Sequence, residues 1–252
     1  MCKISIKYFT HHGLIKEKIM IENRHPLLLI SGLAADDSIF VKQTAAFREV
    51  IHVTWVEPSA GDTLEDYADK LAVSVAERVG GRECYVAGLS LGGMLAPMVA
   101  ERFRTKACIL IASIRGPAEF PRRYRPFSFV CRRTPWLVGT AHFIAKTLGR
   151  CLMPLLRRGR SPERLILLQQ LLGGRSRLFA QHLRMLFTWA NNSKSQRSVP
   201  SFPIYHIHGR GDRVLPCGLT TPDKIIDGRH VLPLYQAQEV NRFIESVMEE
   251  TE

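Results

Sequence analysis

The stretch CYVAGLSLGGM, Cys84 to Met94, sets a serine between glycines where an apolar run gives way to a helix-forming one. Ser90 is there either as a nucleophile or as a bystander in a tight strand-to-helix turn. Gly88 and Gly92 flank it at two positions on either side and Gly93 follows, so no Cβ prevents the backbone from turning sharply and passing close to its neighbours. Such a turn strains the serine backbone and lifts its Oγ clear of the strand end. The next N–H, that of Leu91, falls at a helix N-terminus, where unsatisfied donors and the helix dipole favour a negative oxygen.

Outward from this turn, strands and helices alternate. PLLLIS (26–31) and VIHVTWVEP (50–58) read as strands with a helix between Ser38 and Arg48. A second helix is predicted to start at Asp62 or Thr63 and to stop at Gly80-Gly81. After the serine come the helix LGGMLAPMVAERF, the strands KACILIAS, FPIYHIHG (202–209) and DKIID (223–227), and the C-terminal helix YQAQEVNRFIESVMEE. KISIKYF and LIKEKIMI, separated by His-His-Gly, predict a hairpin or two edge strands. The alternation implies an α/β fold with a mainly parallel sheet covered by helices on both faces. Residues 116–198 break it: they are rich in Leu, Arg and Phe and poor in strands, and Leu165, Leu168, Leu172 and Leu178, Leu183, Leu186 keep helical spacing. The expected organisation is a core of residues 1–115 and 199–252 with a helical insertion at 116–198.

The insertion also holds the charge. The whole chain carries +12, but from Arg115 to Ala190 fourteen arginines and one lysine face only Glu119 and Glu163, a balance of +13 that leaves −1 for the rest. Such a segment concentrates anions near it, so anionic substrates, membrane surfaces and nucleic acid are the partner classes to weigh. Nucleic acid is the weakest, with no recognition motif and no aromatic stacking platform. The first twenty residues lack a signal peptide's apolar core and no window is long and charge-free enough to span a bilayer, so a soluble cytoplasmic protein is expected. The six cysteines form no CxxC pair and read as free thiols. No phosphate-binding glycine motif occurs, and no cofactor or metal is expected. His206 and His208, alternating on a strand without a carboxylate cluster, read as packing residues. In SGLAADDS, one of Asp36, Asp37 and Ser38 is expected to cap a helix.

From about Pro26 onward the chain resembles the α/β-hydrolase family: GLSLG (88–92) fits its nucleophile-elbow pattern G-x-S-x-G, and acid and base candidates follow in the order serine, acid, histidine. The resemblance implies that Ser90 is the nucleophile, with Gly88 and Gly92 as elbow glycines. It implies Asp212 as the acid, since HGRGDRVLP is similar to the family's G-x-x-D-x-x-x-P turn, and His230 in DGRHVLP as the base. His142 and His182 stay open as alternatives for the base, Asp223 and Asp227 for the acid. Only 18 residues separate Asp212 from His230, so the intervening helix should be reduced to a loop or a single turn. By the same resemblance the oxyanion hole is made by the N–H groups of Leu33 and Leu91, Ser31 standing where histidine is usual, and the insertion is a cap over the active site.

These readings imply a serine hydrolase, an esterase, lipase or thioesterase, acting on a small-molecule ester or thioester that could carry an anionic group. An acyltransferase with the same acyl-enzyme, C–C bond hydrolysis by the same triad, and a non-catalytic binding protein of the same fold remain alternatives. A basic, apolar cap also allows peripheral membrane contact.

Overall fold

A computed structural model describes residues 2–9, 15–151, 165–166, 170, 173–192 and 200–252. Strands β1 (Cys2–Phe9) and β2 (Ile15–Glu22) form an antiparallel hairpin, pairing Cys2 with Glu22 through to Phe9 with Ile15. It forms its own two-stranded sheet, linked toward the remainder by a bridge between Ile21 and Phe47.

The main sheet contains β3 (Leu27–Ile30), β4 (Val50–Val53), β5 (Glu83–Leu89), β6 (Arg104–Ile111), β7 (Ile204–Gly209) and β8 (Lys224–Ile226). Its spatial order is β4-β3-β5-β6-β7-β8 and every pairing is parallel. Parallel strands need crossovers, which place helices on both faces, so the central strands read as unbroken apolar runs rather than alternating ones. Side-chain alternation still sorts the core into two. Leu28, Ile30, Val86, Cys108 and Leu110 face one side; Leu27, Leu29, Tyr85, Ala87, Ile109 and Ile111 face the other.

The helices follow their local signals. A 3-10 turn at Asp37–Phe40 is capped by Asp36, whose Oδ1 accepts the Ser38 N–H at 2.9 Å, and leads into α1 (Val41–Ala46). Thr63 starts α2 (Leu64–Val79) with a reciprocal capping box to Asp66, and Gly80 ends it in the left-handed region at φ 63°. All ten residues of α3 (Leu91–Ala100) are buried, an apolar helix held between sheet and α2. On the other face α7 (Leu232–Tyr235) and α8 (Ala237–Thr251) pack through Leu232, Leu234, Val240, Phe243, Ile244 and Val247. Between β6 and β7, in chain order, come α4 (Arg125–Arg133), α5 (Pro135–Cys151) and α6 (Ser176–Ala190), with no strand among the described residues from 112 to 203. Leu178, Leu183 and Leu186 lie on α6, while Leu168 and Leu172 lie outside the described residues. Cys84, Cys108, Cys131, Cys151 and Cys217 are free thiols. Among the described residues no helix is long and apolar enough to cross a membrane.

A buried polar contact fixes α6 to α2. Tyr67 donates its hydroxyl proton to the Val56 carbonyl at 2.8 Å, so the contact of 3.0 Å with His182 Nε2 has the histidine as donor. The Trp55 ring packs against both. Burial, with a smaller contribution from Arg175, pushes His182 down to about 4 from 6.5. The folded protein therefore holds His182 neutral where the unfolded chain protonates it. The associated stability is complete above pH 6.5 and is lost as pH falls through the window down to about 4, at a limiting slope of about 1.4 kcal/mol per pH unit. The melting temperature should fall across that window, and His182→Leu, which leaves Tyr67 bonded to Val56, should flatten the fall. Parallel melting curves against pH for the two proteins would contradict this account.

Candidate active site

The end of β5 runs into α3 with almost no space between them. A Cβ on Gly88 would stand 2.2 Å from the Gly92 carbonyl oxygen, and one on Gly92 2.2 Å from the Ile30 oxygen. A Cβ on Gly93 would meet the Ser113 side chain at 2.5 Å. Between these contacts Ser90 is forced to φ 54°, ψ −116°, and its N–H donates to the Ile111 carbonyl at 3.0 Å. Two further non-glycine residues have positive φ, Ala34 at 59° and Ala112 at 45°, just beyond β3 and β6. Backbone strain thus collects at the carboxyl ends of three adjacent strands, a place where proteins tolerate it for the sake of a site.

The loop after β3 is pinned from two directions. Ser31, buried where the resemblance called for histidine, donates its hydroxyl to the Ala35 carbonyl at 3.0 Å, and Trp55 Nε1 donates to the same oxygen at 2.8 Å. Leu33 in that loop and Leu91 at the start of α3 line one cleft together with Ser90 and His230. As the first residue of α3, Leu91 offers an N–H with no carbonyl one turn back to accept it.

Asp212 and His230 come together because their loops are laced to one another. The Arg210 and Gly211 N–H groups donate to the carbonyls of Ile226 and Gly228 at 2.9 and 2.8 Å. A Cβ on Gly209 would sit 2.6 Å from the carbonyls of Gly228 and Arg229. Ahead of β8 the helix between the two loops is reduced to a single 3-10 turn, Cys217–Leu219, in agreement with the short spacing. His230 Nε2 is 2.9 Å from Ser90 Oγ, and its Nδ1 is 2.7 Å from Asp212 Oδ2. The other carboxylate oxygen, Oδ1, accepts the Val214 and Leu215 N–H groups at 2.8 and 3.0 Å.

Of the alternatives, His182 contacts Tyr67, and His142 stacks on Phe179 with its Nδ1 3.0 Å from Ser176 Oγ. Asp223 binds the His206 N–H and Arg115 at the start of β8, and Asp227 is exposed at its end.

A neighbour that the sequence reading assigned to packing is part of this cluster. His206 and His208 are fully buried on one side of β7. His208 Nε2 lies 2.8 Å from the Leu215 carbonyl and 3.2 Å from Asp212 Oδ2. A carbonyl only accepts, so His208 Nε2 carries a proton, and His208 Nδ1 lies 3.0 Å from His206 Nε2. His206 Nδ1 has no partner among the described residues. Burial first, then the charges of His208 and Arg115, lower His206 to about 3, so it stays neutral. Burial raises the carboxyl of Asp212, but hydrogen bonds from His208 and His230 outweigh it and hold the group well below the usual carboxylate range. Asp212 therefore stays charged beside two histidine donors.

The cleft has a volume of about 970 Å³. Leu33, Met94, Leu183 and Leu186 line it together with Phe127 and Val130 of α4 and Val138 and Ala141 of α5. No Lys, Arg, Asp or Glu is among the described residues that line it. Nor do the described residues hold a group of three or more His, Cys, Asp or Glu able to bind a metal ion.

Comparison with known proteins gives a consistent setting for this geometry. The profile of the Alpha/beta hydrolase family matches residues 27–243. No curated protein matches the sequence. Among solved structures, a thermophilic esterase from Thermogutta terrifontis aligns over 100% of this chain and 99% of its own, with 20% identity and a TM-score of 0.61. An enol-lactonase from Burkholderia xenovorans LB400 aligns over 98% and 96%, with 15% identity and a TM-score of 0.66. The epoxide hydrolase CorEH aligns over 99% and 100%, with 16% identity and a TM-score of 0.67. At these identities the likeness is one of fold.

The glycine contacts give a graded expectation. Gly92→Ala presses a methyl into backbone, which cannot retreat, and should cost about 3 kcal/mol or more or prevent folding. At Gly32 the nearest atom would be 3.5 Å away, an ordinary contact, so Gly32→Ala should fold with near-native stability. Equal unfolding midpoints in denaturant for the two variants would refute the close approach.

Proposed function

Since the chain belongs to the alpha/beta hydrolase family, we propose that it is a serine hydrolase of carboxylic esters or thioesters with uncharged, apolar acyl groups. The observation that carries this reading is the continuous path from Ser90 Oγ through His230 to Asp212, at 2.9 and 2.7 Å, opening on an apolar cleft. His230 Nε2 takes the Ser90 proton as Oγ attacks the substrate carbonyl, and Asp212 holds the ring orientation and stabilises the imidazolium. The N–H groups of Leu33 and Leu91 receive the oxyanion, each worth about 3 to 4 kcal/mol of transition-state stabilisation. His230 then protonates the leaving alcohol or thiol, the acyl group remains on Ser90, and water, deprotonated by His230, releases it.

Residues 116–198 serve in this proposal as a cap over a core of 1–115 and 199–252. Serine, rather than another nucleophile, at the turn favours acyl transfer over the epoxide opening named for one structural neighbour. The cleft wall bears no arginine or lysine among the described residues, so none of the described arginines of the insertion selects an anionic group within it. Its volume lies at the upper end for small-ligand sites, which suits a long acyl chain.

A fluorophosphonate probe should label the wild type at Ser90 and leave Ser90→Ala unlabelled. Across p-nitrophenyl esters, kcat/KM should rise from acetate to medium-chain acyl groups and drop sharply for a hemisuccinate. Folded wild-type protein that does not react with the probe would reject the proposal.

His208 acts in this scheme as a positioning residue, because it shares Asp212 Oδ2 with His230. In His208→Leu more of the carboxylate charge falls to His230, so the acid limb of the kcat/KM profile should move to higher pH while kcat drops. His208→Gln, which keeps a donor, should recover part of both. A wild-type acid limb and kcat in the leucine variant would assign His208 to packing alone.

A further inference from the structure

Helix α5 breaks the usual rule for a helix on a protein surface: it has apolar residues on two opposite sides, and none of its residues is buried. Val138, Ala141, His142 and Ala145 face the cleft. Trp136, Thr140, Phe143, Ile144, Thr147 and Leu148, at helical spacings of three and four, form the opposite stripe. Trp136, Phe143, Ile144 and Leu148 are each more than half exposed, as is Phe129 of α4. Helix α4 is arranged alike, with Phe127 and Val130 toward the cleft and Phe129 away from it. Leaving such residues in water forgoes the transfer energy of several large side chains, and contiguous apolar surface of this kind marks a contact site.

The charges around it select the partner. Arg125, Arg132 and Arg133 share the face of α4 that carries Phe129, and the Arg133 guanidinium lies 5.8 Å from the Phe129 ring. Arg150 borders the stripe on α5, and Lys146 lies 5.7 Å from the Phe143 ring. Arg125, Arg132, Arg133 and Arg150 are exposed and have no carboxylate partner among the described residues. Across described residues 115–151 the one acid is Glu119, whose carboxylate accepts the Arg115 N–H. A second copy docked here would set these cations against their equals. An anionic lipid surface satisfies both features at once: phosphate and carboxylate head groups meet the arginines, and the aromatic stripe enters the boundary of the acyl region.

We propose that the outward face of α4 and α5, built on Phe129, Trp136, Phe143, Ile144 and Leu148 and edged by arginines, docks on anionic membrane surfaces. This is independent of the chemistry at Ser90 and goes beyond the esterase reading. It would place the two helices between bilayer and cleft, their opposite sides serving each.

The test is co-sedimentation of the full chain with phosphatidylcholine vesicles, with and without phosphatidylglycerol, at low and high salt. Binding should require the anionic lipid and weaken with salt. Phe143→Glu/Ile144→Glu should reduce it by about tenfold or more, and Arg132→Ala/Arg133→Ala by about fivefold per charge removed. Ser90→Ala should bind like the wild type, and Phe143→Glu/Ile144→Glu should retain probe labelling and turnover of a water-soluble ester. Trp136 fluorescence, taken as the difference from Trp136→Phe, should shift to the blue and lose acrylamide quenching on anionic vesicles. No binding to anionic vesicles at low salt, or binding unchanged in Phe143→Glu/Ile144→Glu, would overturn the proposal. So would a Trp136 already shielded in vesicle-free solution, which would assign the face to residues 152–172. A concentration-dependent dimer abolished by Phe143→Glu/Ile144→Glu would assign it to a second copy.

Discussion

The carboxyl edge of the sheet depends on how near the backbone of α3 comes to the strands beneath it. The Cβ positions of Gly88 and Gly92 each lie 2.2 Å from a backbone oxygen, one on α3 itself and the other on β3. Seating the helix N-terminus this deep leaves Ser90 no ordinary conformation. Its φ of 54° is imposed from both sides, at a cost of about 1 to 3 kcal/mol. Burial of all ten residues of α3 offsets that cost locally. The same contact sets the N-terminus of α3, with its unsatisfied first N–H groups, directly after Ser90, so the strain and the position of the helix end arise from one packing decision.

A second constraint runs from the far side of the sheet. Asp212 is buried, and a buried carboxylate stays charged only when its lone pairs are used. Here Oδ1 receives two backbone N–H groups, and Oδ2 lies within reach of His230 and His208. The inward chain continues to His206, where it ends on a nitrogen with no partner among the described residues. His206 stays neutral, so the acid has the buried pair His208 and His206 on its inner side and His230 on the cleft side.

Much of this was legible in the sequence for reasons that can be named. Gly88, Gly92 and Gly93 around Ser90 report a steric demand, and steric demands on glycine are local. Thr63 and Gly80 marked the ends of α2 in the same way. The spacing between Asp212 and His230 carried the reduced connection, since 18 residues leave no room for a strand, a full helix and two turns. The His208 contact was not legible. Residues alternating along a strand share a face, but what that face meets depends on the Leu215 turn folding back over it, a tertiary fact. Ser31 was misleading for a related reason: its support of the loop comes through Ala35, and the second donor, Trp55, lies twenty residues further on.

The two-sided helix α5 shows where periodicity runs out as a guide. An amphipathic pattern assigns one apolar stripe to the core, and the leucines of α6 obey it, with Leu178 and Leu186 buried. Helix α5 carries a stripe to the cleft and another to solvent, so its sequence has apolar residues on opposite sides and its orientation cannot be taken from spacing. What separates the sides is packing: Gly139 lies against Ser176 and Ala180 of α6, where a Cβ would stand 3.4 Å from the Ser176 carbonyl oxygen. That contact sets the rotation of the helix. Once it is set, Val138 and Ala141 must line the cleft and Trp136 and Phe143 must face away from it. A cleft wall and an exposed aromatic surface are then two consequences of one helix–helix contact, and a change of surroundings at the outer face acts on the same rigid element that bounds the inner one.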